Sequence, residues 1–128
     1  MTVCLTYNGT LLKKGNLYRR KDIFELVQKS EYRASTYYDP DKGELFSFYK
    51  ENDENFENIY KNNILLFKRR DGADPGQMAA WELQKKRHVF LHYGDRMKSG
   101  SFEYLGIAVG ENKKIKNGIP CRELLIHL

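Results

Sequence analysis

Asn8-Gly9 stands between two short, apolar-bearing runs, Val3–Tyr7 and Thr10–Lys13. An Asn-Gly pair accepts the positive φ values of a tight turn whose twist matches two paired strands, so this spacing predicts a hairpin at the head of the chain. A second turn string, Asp39-Pro40-Asp41-Lys42-Gly43, separates the aromatic stretches Tyr32–Tyr38 and Glu44–Lys50 and predicts another hairpin. Ile64–Phe67, His88–Tyr93, Ser101–Val109 and Arg122–Leu128 read as further strands. Between them, Glu51–Asn63 carries five asparagines and only Phe56, Ile59 and Tyr60 as apolar anchors, and reads as a loop. Helical spacing is confined to Lys21–Ser30, through Ile23, Phe24, Leu26 and Val27, and to a short helix opened by Asp74-Pro75 and running through Trp81 to Lys86. Seven or eight strands with one or two helices make an α+β fold, a mainly antiparallel sheet curled toward a small barrel. Phe24, Phe46, Phe48, Leu65, Phe67, Phe90, Phe102, Tyr104 and Leu125 are the expected core.

At 128 residues the chain is expected to form a single domain, 1–128, with one substantial core. No apolar run approaches the ~20 residues of a membrane span. Met1-Thr2-Val3-Cys4 lacks the basic head and apolar stretch of a secretory signal. Two cysteines, Cys4 and Cys121, are neither a disulfide framework nor a metal clip, and a reduced, cytoplasmic protein is expected. The net charge of +5 is uneven, with two basic regions flanking an acidic stretch over residues 51–62. Such a distribution permits a polyanionic partner without requiring one.

Catalytic patterns are sparse. His88 and His92 would share a helical face, but Val89-Phe90-Leu91 makes this segment a strand, on which they stand about 13 Å apart, too far to share a metal. Glu111-Asn112-Lys113 has the bare Glu-x-Lys spacing of some metal-dependent nucleases, yet its Gly- and Lys-rich surroundings read as a turn. There is no nucleophile elbow and no phosphate-cradling glycine loop. No catalytic residue, metal or cofactor is assigned.

Basic residues offer more. Arg19 and Arg20, with Lys21, precede or open the first helix, where free backbone N–H groups and cations together suit a phosphate. Lys68, Arg69 and Arg70 follow a strand into a turn, and Arg96 and Lys98 lie in the loop joining the two strongest strands, so these clusters can gather on one rim. Lys113 and Lys114, in the turn, fall away from it. Of the neighbours Tyr37 and Tyr38 at most one can enter the core, leaving the other to stack a base. Tyr37 is taken as that platform, with Arg33 in the same strand as a nucleic-acid contact.

The order of elements carries a resemblance. Tyr18-Arg19-Arg20-Lys21-Asp22-Ile23-Phe24 fits a Y-x-R-x-D-I helix; Glu44–Lys50 and Asn63–Arg70 fit the strands that follow; His88–Tyr93 and Phe102-Glu103-Tyr104-Leu105-Gly106 fit the next two; Ile119-Pro120 onward fits the closing strand. In this order, over roughly residues 18–128, the chain resembles a C-terminal domain of unknown function in restriction- and defence-linked superfamily-two helicases, and DNA-reading domains beside HNH-type restriction nucleases. The resemblance implies a non-catalytic DNA-binding or targeting module of a restriction or phage-defence system, binding duplex DNA, reading modified or flipped bases, and acting alone or supplied to a helicase or nuclease partner that does the chemistry. Two other readings stand beside it: an inhibitor or adaptor docking an acidic protein, and a small metal-dependent nuclease.

Overall fold

The computed structural model describes residues 4–7, 9–27, 31–33, 36–39, 41–53, 56–57, 59–68, 86–94 and 100–127. The elements are β1 (Cys4–Tyr7), β2 (Thr10–Lys13), β3 (Leu17–Arg19), α1 (Arg20–Leu26), β4 (Glu31–Arg33), β5 (Thr36–Asp39), β6 (Glu44–Lys50), β7 (Asn52–Asp53), β8 (Phe56–Glu57), β9 (Ile59–Lys61), β10 (Ile64–Lys68), β11 (Lys86–His92), β12 (Ser101–Lys116) and β13 (Ile119–Ile126). The principal sheet runs β4-β5-β6-β11-β12-β13-β10-β9, with β3 joined to β12. All its pairs are antiparallel except β6 with β11. The fold is α+β, a mainly antiparallel sheet that curls without closing.

Two-residue turns set much of the register. Tyr7 pairs with Thr10, Lys61 with Ile64 and Lys116 with Ile119. Asn62, Asn63, Asn117 and Gly118 all take positive φ, as type I′ turns require.

The curl comes from β12. Its first part pairs with β11 and its last part with β13. Within each pairing one extra residue sits on β12: Leu105 between the Val89–Gly106 and Phe90–Tyr104 pairs, and Val109 between the Ala108–Ile126 and Gly110–Leu125 pairs. Such bulges bend a strand and sharpen its twist. Gly106 bends there at φ +117, and a Cβ on Gly110 would lie 3.2 Å from Leu125 Cδ1, so close packing favours glycine at the second bend.

Each face of the bent sheet has its own core. On one, Phe46, Phe48, Phe90, Phe102 and Tyr104 meet Tyr7 and Leu12 of the β1–β2 hairpin and Ile23 and Val27 at the helix. Phe48 and Phe90 stack at 4.7 Å, with Phe102 edge-on to Phe48 at 5.2 Å. On the other, Tyr49, Val89, Leu91 and Leu105 meet Leu65, Phe67, Leu124 and Ile126, which the curl brings round from β10 and β13.

Seven of the nine expected core residues are buried. Phe24 is 42 % exposed because α1 turns Ile23 inward, and it meets Tyr37 edge-on at 5.3 Å. Leu125 is half-buried, since its neighbours Leu124 and Ile126 take the inward positions of β13.

Other expectations shift. The single strand over 32–38 is a hairpin instead, β4 with β5, Arg33 opposite Thr36. The helix ends at Leu26, and residues 28–30 lie outside the described set. The 51–63 loop contains β7, β8 and β9. Glu111-Asn112-Lys113 lies within β12, paired to Leu124, Glu123 and Arg122, and is not a turn. Of the helix expected to run to Lys86, only Lys86 is described, and it opens β11.

Candidate nucleic-acid interface

Beyond Ile107, no described strand pairs with the outer edge of β12. Beyond Cys121, towards the turn, none pairs with the outer edge of β13. Asn117-Gly118 therefore closes a two-stranded ribbon at the end of the sheet. Residues 110–123 carry four cations, Lys113, Lys114, Lys116 and Arg122, against two carboxylates, Glu111 and Glu123, the second 3.7 Å from the Lys114 Nζ. Lys113 and Lys114 are exposed and Lys116 is half-buried. Lys113 stands directly opposite Arg122. Like charges facing each other across a strand pair are destabilising, so the fold itself gains nothing from the charge on Lys113.

Arg122 is held at the ribbon's root. Its Nη1 lies 3.8 Å from Glu111 Oε2, while Arg87 Nη1 donates to Glu111 Oε1 at 3.1 Å and Arg87 Nη2 donates to the Tyr49 hydroxyl at 2.9 Å. Side chains of Arg87 and Glu111 are each about nine-tenths buried. Burial acts to lower the affinity of the Arg87 guanidinium for its proton, but Tyr49 and Glu111 together raise it above the ordinary arginine value. With two guanidinium groups already on its oxygens, Glu111 is poorly suited to hold a nuclease metal. Among the described residues no group of three or more His, Cys, Asp or Glu is placed to hold a metal ion.

The sequence-selected residues distribute unevenly. Arg19 is exposed just before α1, and its backbone N–H donates to Asp22 Oδ2 at 3.2 Å. The helix start is thus served by its own carboxylate rather than left open for a phosphate, and α1 is only seven residues long. Arg20 lies over the Phe102 ring, 5.8 Å from its centroid. Tyr37 is not a stacking platform: it is 4 % exposed, opposite Phe46 in register and 5.4 Å from the Phe48 ring. The half-buried neighbour is Tyr38. Arg33 lies in β4, and its side chain falls outside the described residues. Lys68 ends β10 in the same cross-strand row as Cys121 and Lys114, at the ribbon's root. Arg69, Arg70, Arg96 and Lys98, and with them the rim expected from their loops, lie outside the described residues.

Arg19 pairs with Ser101, the first residue of β12, whereas Lys113 lies twelve residues on. That is about 40 Å along the strand path, so the helix-start arginines and the ribbon lysines do not form one compact site.

His88 belongs to a closed polar chain. Its Nε2 lies 2.8 Å from Glu44 Oε1 and its Nδ1 lies 2.8 Å from the Tyr104 hydroxyl. In the neutral ring, Nε2–H donates to Glu44, leaving Nδ1 to accept from Tyr104. Burial, the Glu44 charge and Tyr18 all hold the Tyr104 phenol well above its ordinary pKa. His88 and Tyr104 are essentially inaccessible, and Phe46 stacks on the imidazole at 4.4 Å, so the chain orders the core rather than reaching a substrate. Tyr7, hydrogen-bonded to Asp39, is likewise buried, and its phenol is raised first by burial and then by Asp39.

The ribbon lysines were missed in the sequence although a signal was present. Asn117-Gly118 is the same turn string as Asn8-Gly9, and it extends β12 through Lys116. Comparisons with protein-family models, with curated proteins and with solved structures each found no match for this chain.

Proposed function

We propose that this protein is a non-catalytic DNA-binding module, acting in the cytoplasm, that holds duplex DNA through the β12–β13 ribbon. The observation that carries this reading is the exposure of Lys113 and Lys114 on a ribbon where Lys113 faces a second cation, Arg122. Glu111 meets Arg122 at 3.8 Å, whereas Lys113 and Lys114 present exposed charge, and phosphate neutralisation by lysine supplies affinity through counterion release. A two-stranded ribbon also has the cross-section that a DNA groove admits. Lys68 stands in the Lys114 row, which adds a third lysine position beside the ribbon's root. With Tyr37 in the core, stacking of a flipped base on that residue is not part of the proposal. Membership of a restriction or phage-defence system, with a helicase or nuclease as the partner that performs the chemistry, rests on the resemblance in element order alone. No helix among the described residues is long and apolar enough to cross a membrane.

The test is fluorescence anisotropy with a labelled duplex at ~50 mM salt, where phosphate contacts are strong. Wild type should bind, Lys113→Gln/Lys114→Gln should bind several-fold more weakly, and added Mg²⁺ should yield no cleavage. Absence of binding at that salt, together with capture of one acidic protein, would favour the adaptor reading.

A further inference from the structure

Ile115 is the most exposed large apolar side chain among the described residues, at 77 %. It stands directly opposite Pro120, which is also exposed, two residues inside the ribbon's end. Side chains alternate along a strand, so Ile115 and Pro120 occupy one face near the tip, while Lys114 and Lys116 fall on the other. One face of the tip is therefore apolar, with Lys113 beside it on that face and Lys114 and Lys116 on the reverse.

Several occupants would suit an apolar tip, and the neighbouring residues discriminate among them. A second copy adding a strand needs free N–H groups along the edge, but Pro120 supplies none, and lysines are the side chains that blunt such edges. A ribbon lying flat in the major groove reads base edges through hydrogen-bonding side chains, and neither Ile115 nor Pro120 has a polar group to offer. What an apolar side chain between cations does on duplex DNA is enter a base step from the minor groove while the cations hold the flanking phosphates.

The geometry points to Ile115, backed by Pro120, as a wedge that partly unstacks a base step and kinks the duplex. This inference rests on the ribbon being the DNA interface. Insertion removes exposed apolar surface from water, and Lys113, two residues from Ile115 on the same face, is placed to meet a phosphate flanking the opened step. The root of the ribbon is braced for such a load by the Arg87–Glu111–Arg122 cluster.

The experiment uses the full chain and a duplex of about 30 base pairs carrying a donor and an acceptor dye at its two ends. Kinks made by inserted apolar side chains fall at roughly 20–90°, so wild type should raise energy transfer between the ends. Ile115→Ala/Pro120→Ala, which touches only exposed side chains, should bind with an unchanged salt dependence, because the lysines remain, yet lose most of the rise in transfer. Binding by wild type with no change in transfer, or a variant that bends DNA as strongly as wild type, would overturn the wedge and leave the ribbon as an interface. Binding of anionic vesicles while bound duplex stays straight would also overturn it. If wild type fails to bind the duplex at ~50 mM salt, the interface itself is wrong and the wedge falls with it.

Discussion

Glu111→Ala is expected to be the most costly single change at the ribbon's root. It removes the carboxylate that Arg87 meets at 3.1 Å and Arg122 at 3.8 Å. Among the described residues Arg87 would keep only the Tyr49 hydroxyl, and its Nε already has no hydrogen-bond partner there. Both Arg87 and Glu111 have side chains only about a tenth exposed, so solvent screening offers little relief. Breaking a buried pair of this kind costs about 3–5 kcal/mol. In a domain of this size that lowers the melting temperature by roughly 10–20 °C. Urea unfolding followed by circular dichroism measures the change. The double variant Arg87→Met/Glu111→Leu removes the stranded charge together with its partner and should recover most of the loss, because apolar replacements of a buried pair are often near neutral. A Glu111→Ala loss below ~1 kcal/mol, the range of exposed pairs, would refute the reasoning. So would a double variant no more stable than the single one.

Phe90→Ala should cost ~3–5 kcal/mol, since the ring is fully buried between Phe48 and Tyr104; denaturant unfolding will show whether the loss is that large or nearer the half kilocalorie of a surface position. Tyr37→Leu, which removes the ring but keeps an apolar core side chain, should leave the duplex affinity of the folded protein unchanged, because Tyr37 lies in the core; a marked drop in anisotropy titrations with the circular dichroism unchanged would restore its base-stacking role. Tyr7 and Tyr104 keep their phenolic protons above the ordinary tyrosine pKa in the fold and lose that hold on unfolding. Their contribution is fully present below pH ~10 and declines as the pH rises beyond it, because the unfolded chain then releases protons that the native state retains. Phenolate absorbance should accordingly show tyrosines that titrate late and only together with loss of the fold, whereas complete titration of every tyrosine near pH ~10 in a folded chain would contradict this.

The strands that the sequence made legible were those marked by turn chemistry and aromatic alternation. Tyr7-Asn8-Gly9-Thr10 specified its hairpin because few other conformations suit that pair. Glu44–Lys50 showed itself through Phe46 and Phe48, which face the same side. Ser101–Val109 did not reveal where β12 ends, because polar Glu111–Lys116 lacks apolar alternation and is held by pairing with β13, a tertiary effect. For the same reason pattern alone began the last strand at Arg122, whereas the resemblance in element order ran it from Ile119. Leu124-Leu125-Ile126 has no polar residue to set its phase, and the burial of Leu124 and Ile126 instead of Leu125 was decided by β10 packing against them. At the candidate site, the sequence marked cations by clustering, which favours loops such as Lys68-Arg69-Arg70. Charge clustering carries no information about which cations face like charges. That feature of Lys113 emerges only from the Lys113–Arg122 register.

The central claim is that the ribbon lysines contact phosphates, and the salt dependence of duplex binding reads those contacts directly. Each phosphate neutralised contributes about 0.9 to the slope of log affinity against log salt. Lys113→Gln/Lys114→Gln should flatten that slope by nearly two units, while Lys13→Gln/Lys21→Gln, two exposed lysines of β2 and α1, should leave it nearly unchanged. Equal flattening by both pairs would mean diffuse attraction to a basic surface, and an unchanged slope in the ribbon variant would contradict the account.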